Sequence, residues 1–474
     1  MVLPVRQIPN GDGSGQPCVC LFSALYAPSV GGVEGYTEHL AHALACMGCR
    51  VIVVAMNTHG REGYVHEPAT HGAYATHART EQSTSQSVQP ETLENRSSEA
   101  AGIAPVPTQA ELVTETAEKQ TSPLKAPSPK PEPAITDGDT PLVEVVRLPC
   151  RPLLGGRYPV PRKNAEYRAL WKWLESQHIN YVVINTRFYL LSEIGVEFAQ
   201  AKGIVPVVIE HGSAHLTMGN PVLDQAVQAV EHGLTKRLAA YPAAFYGVSK
   251  RACDWLGHFG ITASGVLPNA IDADAFAASA TEGERFDLPP ETFAIAFVGR
   301  LVPEKGIGNL VKAVGLMEAD RPVVLLVAGD GPLRNDLTRE AEPGKGKAPL
   351  NRIILLGSLE KPQIAALLAQ ADVLCLPSRS EGFATVLLEA SAMGTPCIAT
   401  PVGGTDELFP TAGFGVVIPD AEPQTIAGAL EAAAADPETW QAMGRHAAER
   451  VRSHFTWQTT AESLLTACRQ INQR

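Results

Sequence analysis

Phe293-Ala294-Ile295-Ala296-Phe297-Val298 is an unbroken apolar run, and the residues after it, Gly299-Arg300-Leu301-Val302-Pro303-Glu304-Lys305-Gly306, change abruptly to glycine, proline and charge. Apolar residues without alternation describe a strand buried on both faces. A helical stretch follows the loop, and Val323-Val324-Leu325-Leu326-Val327-Ala328 then repeats the strand pattern. Strand, loop, helix and strand, with both strands apolar throughout, are the unit of a parallel sheet covered by helices.

Working outward, the same alternation predicts further strands at Arg352–Leu356, Val373–Leu376, Pro396–Ala399 and Gly415–Ile418. Upstream it predicts strands at Cys18–Leu25, Val51–Met56, Val143–Leu148, Tyr181–Asn185, Val205–Glu210 and Ala243–Val248, with a helix over Tyr36–Met47. The two series meet near Pro268–Phe276. They imply an α/β chain of two facing, doubly wound, Rossmann-like parallel-sheet domains, with a ligand cleft at the strands' C-terminal ends. The domains are expected at 18–267 and 268–456, after a flexible tail at 1–17 and before a terminal amphipathic helix within 457–474.

The stretch 61–141 breaks the pattern. It holds ten of the 37 prolines, eighteen Ser or Thr and two aromatics, and its 12 acidic and six basic residues give −6. Such a composition buries too little apolar surface to offset the entropy of ordering, so a disordered insertion is expected.

Of the 474 residues, 45% are apolar and 19% charged, as in an ordinary globular protein. The net charge of −12 disfavours a general nucleic-acid binder, which needs a basic footprint for phosphates. No apolar run reaches the roughly 18 residues of a membrane span, and no secretory signal is read at the N-terminus. The nine cysteines are then expected as reduced thiols in a cytoplasmic protein.

Three segments carry charge or glycine where a strand meets a helix. Gly31-Gly32-Val33-Glu34 lets backbone amides approach an anion at a helix start. Arg300 just past a strand and Lys305 just before a helix place two cations at a strand's mouth, which suits a diphosphate. In Pro377-Ser378-Arg379-Ser380-Glu381-Gly382-Phe383-Ala384-Thr385-Val386-Leu387-Leu388-Glu389-Ala390, Glu381 lies in the loop and Glu389 on the inward face of the next helix. A carboxylate among Leu387, Leu388 and Ala390 needs a hydrogen-bonding partner, and a ligand diol supplies one. The helix start at Phe383–Thr385 offers amides to phosphate oxygens.

These segments, with Pro268-Asn269-Ala270-Ile271-Asp272 and Gly329-Asp330-Gly331-Pro332, resemble in type and order the retaining GT-B glycosyltransferases of the family 4 group. The resemblance spans the chain apart from the tail and the insertion. It implies transfer of a hexose-type sugar from a nucleotide-diphosphate donor to a glycan, glycolipid or lipid-linked acceptor, without a metal or cofactor, in cell-envelope polysaccharide biosynthesis. Carried over by residue, Arg300 and Lys305 hold the diphosphate, with Gly299 beside them. Gly31 and Gly32 approach it from the other domain. Glu389 binds the ribose, and Glu381 the transferred sugar. His211, in Ile209-Glu210-His211-Gly212, stands beside that sugar, and Ser358 and Leu359 lie against the base. Phe383, Ala384 and Thr385 contribute amides, although Ala384 stands where many relatives have glycine. The resemblance also implies that the last helix crosses back to the first domain. A nucleotide-sugar 2-epimerase and a non-catalytic nucleotide-sugar-binding subunit, docking through 61–141, are the rival readings.

Other signals read as structure. Cys46-Met47-Gly48-Cys49 lies at a helix C-terminus, where the dipole disfavours a thiolate. His39 and His42 are expected on the surface. Asp272-Ala273-Asp274 and Asp137-Gly138-Asp139 mimic a metal-binding DxD, but fall in a connection and in the insertion. Arg151–Trp173 combines six cations and one acid with Tyr158, Tyr167, Trp171 and Trp173, a pattern compatible with peripheral contact at the inner face of an anionic membrane.

Overall fold

The computed structural model describes residues 16–29, 31–61, 63–68, 142–217, 221–280, 286, 288, 291–318, 321–341 and 351–473. The first half is built from β1 (Cys18–Ser23), α1 (Gly32–Cys46), β2 (Arg50–Asn57), β3 (Tyr64–Pro68), β4 (Leu142–Leu153), β5 (Tyr158–Pro161), α2 (Ala165–Ser176) and β6 (Tyr181–Asn185). It continues through α3 (Leu190–Ala201), β7 (Val207–Glu210), α4 (Pro221–Leu238), β8 (Ala244–Gly247), α5 (Lys250–Gly257) and β9 (Gly265–Val266). The strands form one sheet in the order β3-β4-β2-β1-β6-β7-β8-β9, with β5 beside β4.

The second half comprises α6 (Ala273–Ser279), β10 (Phe293–Val298), a 3-10 turn (Pro303–Lys305), α7 (Ile307–Leu316), β11 (Val323–Ala328), α8 (Arg334–Ala341), β12 (Asn351–Gly357) and α9 (Lys361–Gln370). After these come β13 (Val373–Leu376), α10 (Thr385–Met393), β14 (Cys397–Ala399), α11 (Thr405–Leu408), β15 (Val416–Val417), α12 (Pro423–Ala435), α13 (Pro437–His454) and α14 (Trp457–Asn472). This sheet runs β12-β11-β10-β13-β14-β15 and is parallel throughout.

The first sheet departs from the all-parallel expectation at one edge, where β3 and β5 pair antiparallel with β4. β3 also corrects the expected insertion, whose first residues are ordered. Tyr64 donates its hydroxyl to Glu144 at 2.7 Å, and Arg147 pairs with Glu67 at 2.7 Å. The charges that read as solvated disorder are thus spent against β4. The rest of the expected insertion, the Asp137–Asp139 pair and tail residues 1–15 lie outside the described residues.

Each sheet is buried on both faces. One apolar cluster runs from the first sheet through Tyr36 and Leu40 of α1 and Leu464 of α14 to Leu374 and Leu388 of the second half. Burying Leu464 and Leu465, at most 1% exposed, is worth about 1.5–3 kcal/mol each, so α14 is held firmly. α14 packs on α1, and the Asn472 side chain closes the chain end by accepting from Val205 N at 2.9 Å and donating to Val205 O at 3.1 Å.

Candidate functional site

Sheet order puts the charged loops together. β10 lies between β11 and β13, so the connections leaving β10 and β13 diverge at the point where the winding reverses. These connections are Gly299–Gly306 and Pro377–Ala384. Gly306, at φ 70°, ends the 3-10 turn and starts α7, and a Cβ on it would lie 2.9 Å from the Pro377 carbonyl carbon. The close approach lets Lys305 form an ion pair with Glu381 across the crevice. Arg300 is exposed beside it, and no described residue accepts a hydrogen bond from its guanidinium. Gly329 N donates to Gly357 O at 2.7 Å, which brings the end of β12, and with it Ser358 and Leu359, to the same rim.

At the start of α10 the amides are unequal. Ala384 N donates to Gly403 O at 2.8 Å, whereas those of Phe383 and Thr385 have no acceptor among the described residues. Phe383 and Ala384 are buried and Thr385 is exposed. Glu389 lies one turn further along, partly exposed between buried Leu388 and Ala390. Desolvation raises its carboxyl to about 7, and Lys361 at the start of α9 offsets part of that rise.

The first half contributes His211, directly after β7. Its Nε2 is 2.9 Å from Asn185 Oδ1, while Asn185 Nδ2 donates to Thr37 Oγ1 at 2.9 Å. With the amide oriented by Thr37, His211 carries its proton on Nε2. Burial lowers this imidazole to about 3, so it is neutral at working pH. The loop is held at both ends: Gly212 N donates to Glu210 Oε1 at 2.7 Å, and His215 Nδ1 lies 2.8 Å from Glu231 Oε2. Beneath it, buried Arg187 pairs with Glu210 at 3.0 Å and Glu231 at 2.6 Å.

The halves meet at Gly382. Ser249 Oγ donates to Gly382 O at 2.6 Å, and Ser213 Oγ donates to Glu381 O at 2.7 Å. A Cβ on Gly382 would stand 2.7 Å from the His211 carbonyl carbon and closer still to its oxygen. Only glycine brings the Glu381 loop onto the His211 loop this closely.

At the start of α1, a Cβ on Gly31 would lie 2.8 Å from the carboxyl carbon of the Glu34 side chain, which would have to swing aside, whereas Gly32 faces open space. The Glu34 carboxyl folds back over this helix start, and burial raises it above the usual carboxylate range. His39 corrects a surface expectation. It stacks on Trp457 with ring centres 5.2 Å apart, and burial lowers its imidazole to about 4. The cause is α14, whose return across α1 covers that face. Asp272 caps α6 by accepting from Ala275 N at 2.9 Å, and Asp274 pairs with Arg452 at 3.1 Å. Cys49 is buried, with its thiol raised to about 11.

The cationic segment Arg151–Trp173 spends its aromatics on packing. Tyr158 stacks on Tyr189, Trp171 packs edge-on to Phe198, and Trp173 packs on Tyr64. Leu153 and Leu154, 50% and 52% exposed, are its apolar surface. Among the described residues no helix is long and apolar enough to cross a membrane.

Of the candidate residues, His211 from the first half and Glu381, paired with Lys305, from the second thus meet at the Gly382 seam. Sequence reasoning did not identify Asn185, Ser213, Ser249 or Lys361, whose roles depend on neighbours 26 to 168 residues away. The one local hint was a polar Asn185 closing an apolar strand.

Residues 280–450 match the family described as "Glycosyl transferases group 1". A D-inositol 3-phosphate glycosyltransferase of Jonesia denitrificans is 33% identical over 215 residues, 42% of this chain and 50% of that protein. The chain thus spans about half the length of this relative. Sucrose-phosphate synthase from Thermosynechococcus elongatus superposes with a TM-score of 0.62 at 18% identity, covering 96% of this chain and 99% of that one. Anabaena HepE, solved with UDP-glucose, superposes at 0.58 and 15% identity, covering 96% and 99%. The fold is GT-B. The matched family and the Jonesia relative are both described as glycosyltransferases. The two GT-B halves are joined here by α14 and by the clasp at Gly382.

Proposed function

We propose that this chain is a retaining, metal-independent hexosyltransferase that uses a nucleotide-diphosphate sugar. The observation that carries this reading is the convergence of Lys305 and Glu381 with the His211 loop around Gly382, with Glu389 in the following helix. Two cations and the unpaired amides near Phe383 and Thr385 suit a departing diphosphate, whose growing charge needs fixed positive partners. Lys305 is shared between Glu381 and the phosphates once donor is bound. Glu389 accepts the ribose hydroxyls, Glu381 and neutral His211 bracket the sugar, and Ser358–Leu359 lie along the base. A UDP-sugar is the first donor to test, because the GT-B neighbour HepE was solved with UDP-glucose.

The acceptor enters from the first half, past Gly31, Gly32 and Glu34. The bond between C1 and the phosphate oxygen breaks as the acceptor oxygen bonds to C1 on the same face. The acceptor's proton passes to the departing phosphate, and the nucleoside diphosphate leaves. The acceptor is a glycan, glycolipid or lipid-linked glycan of the cell envelope. Leu153 and Leu154, flanked by Arg151 and Arg157, support peripheral contact with an anionic membrane face.

Glu389 gives this reading a pH signature. Diol hydroxyls donate to the ionised carboxylate, and protonation of the free site below about 7 competes with them. Donor affinity therefore rises with pH, about tenfold between pH 6 and 8, and the rise disappears in Glu389→Gln. The donor's doubly esterified diphosphate does not change charge in this range. Titration calorimetry at the two pH values, with EDTA present, tests it; an affinity equal at both would remove Glu389 from the donor site.

A further inference from the structure

Beside the His211 loop, three histidines of the first half converge. His215 follows the His211 loop, His232 lies on α4 and His258 caps the end of α5. One ring nitrogen from each lies within 4.8 Å of the others. His232 Nε2 and His258 Nε2 are 3.4 Å apart, and the three ring centres are 5.1 to 5.3 Å from one another. A tetrahedral ion with metal–nitrogen bonds of 2.0–2.1 Å separates its ligands by about 3.3 Å, so one edge of the site is already at that spacing. The other edges close by rotation of the exposed His232 and His258.

The third ligand is oriented for the task. His215 Nδ1 faces Glu231 Oε2 at 2.8 Å, which holds the proton on Nδ1 and leaves the Nε2 lone pair free. Glu231 is itself fixed by buried Arg187, in the carboxylate–histidine arrangement that raises ligand basicity. Trp255 stacks on His258 with ring centres 4.7 Å apart, and Phe259 packs against His215 and His232. An aromatic wall on one side limits water around the nitrogens.

We propose that His215, His232 and His258 bind a divalent transition-metal ion of the Zn²⁺ type. Three imidazoles with no carboxylate ligand suit Zn²⁺ over Mg²⁺ or Ca²⁺, which take oxygen. The fourth position faces solvent and takes water or an exogenous ligand. Bound there, the ion ties α4 and α5 to the loop that carries His211 and Ser213. None of the three histidines has a part in the transfer step proposed above, so the ion acts by adding rigidity to the His211 loop.

The test uses the full chain, stripped of metal and carrying no histidine tag, titrated with Co²⁺ alone. The expected result is one equivalent bound with the intense visible absorption of four-coordinate cobalt, lost when Zn²⁺ is added. His232→Ala and His258→Ala, both at exposed positions, abolish the absorption while leaving metal-free thermal stability unchanged. Each weakens Zn²⁺ binding by more than the roughly 10–100-fold that loss of an outer-shell partner costs. Zn²⁺ raises the melting temperature of the unaltered chain and not that of the variants. The weak spectrum of six-coordinate cobalt, or a four-coordinate spectrum that survives in His232→Ala, overturns the proposal.

Discussion

Arg300→Ala lowers turnover by about 10²–10³-fold and leaves thermal stability within about 0.5 kcal/mol of the parent. Arg300 is exposed, and its guanidinium donates to no described residue, so the folded state loses little with it. In the proposed reaction it faces the charge that grows on the departing diphosphate, where removing one fixed donor raises the barrier by roughly 2.7–4 kcal/mol. Lys305 is a less clean test. Its removal leaves Glu381, 13% exposed, without its ion-pair partner, so lost activity is mixed with a burial penalty. Initial rates at saturating donor, with thermal unfolding alongside, separate the two effects. An unchanged rate in Arg300→Ala would take this residue away from the leaving group.

Gly382→Ala produces the second large effect, and it acts on both rate and stability. The new Cβ would lie well inside contact distance of the His211 carbonyl, so the Glu381 loop must recede by more than about 1 Å. Displacements of that size at a reacting centre cost about 10²-fold in rate, and overpacking of this kind costs about 1–3 kcal/mol. The clasp through Ser249 to Gly382 O and Ser213 to Glu381 O loosens with it. Gly428→Ala is the control. Gly428 lies within α12 with nothing inside 4 Å of its Cβ position, so alanine stabilises the helix by about 0.5–1 kcal/mol and leaves the rate alone. Equal activity in Gly382→Ala and Gly428→Ala would mean that the approach of the two loops has no part in turnover.

The strands of the second half were legible because each is a continuous apolar run ended by glycine or proline. Phe293–Val298, Val323–Ala328 and Val373–Leu376 form at the expected residues. Tyr64–Pro68 was not legible: it is only five residues long and runs straight into the Pro- and Ser-rich stretch, and its stability comes from Glu144 and Arg147, eighty residues from their partners Tyr64 and Glu67. The candidate site divides the same way. Arg300, Lys305, Glu381 and Glu389 were visible because each occupies a loop or helix turn next to a strand whose end could be located. Asn185, Lys361 and the His215, His232 and His258 group carry no local spacing signature. Their juxtaposition is made by sheet order and helix packing alone. His39 was misread for the same reason, since nothing near it in the chain announces Trp457.

The most direct test of the donor site is calorimetric titration of the full chain with UDP-, GDP- and ADP-sugars in EDTA, with Glu389→Gln in parallel. The predicted result is micromolar binding of one donor, clearly weakened by the substitution. Binding of none of the three, or binding that Glu389→Gln leaves unchanged, would contradict the assignment of this cleft as a nucleotide-sugar site.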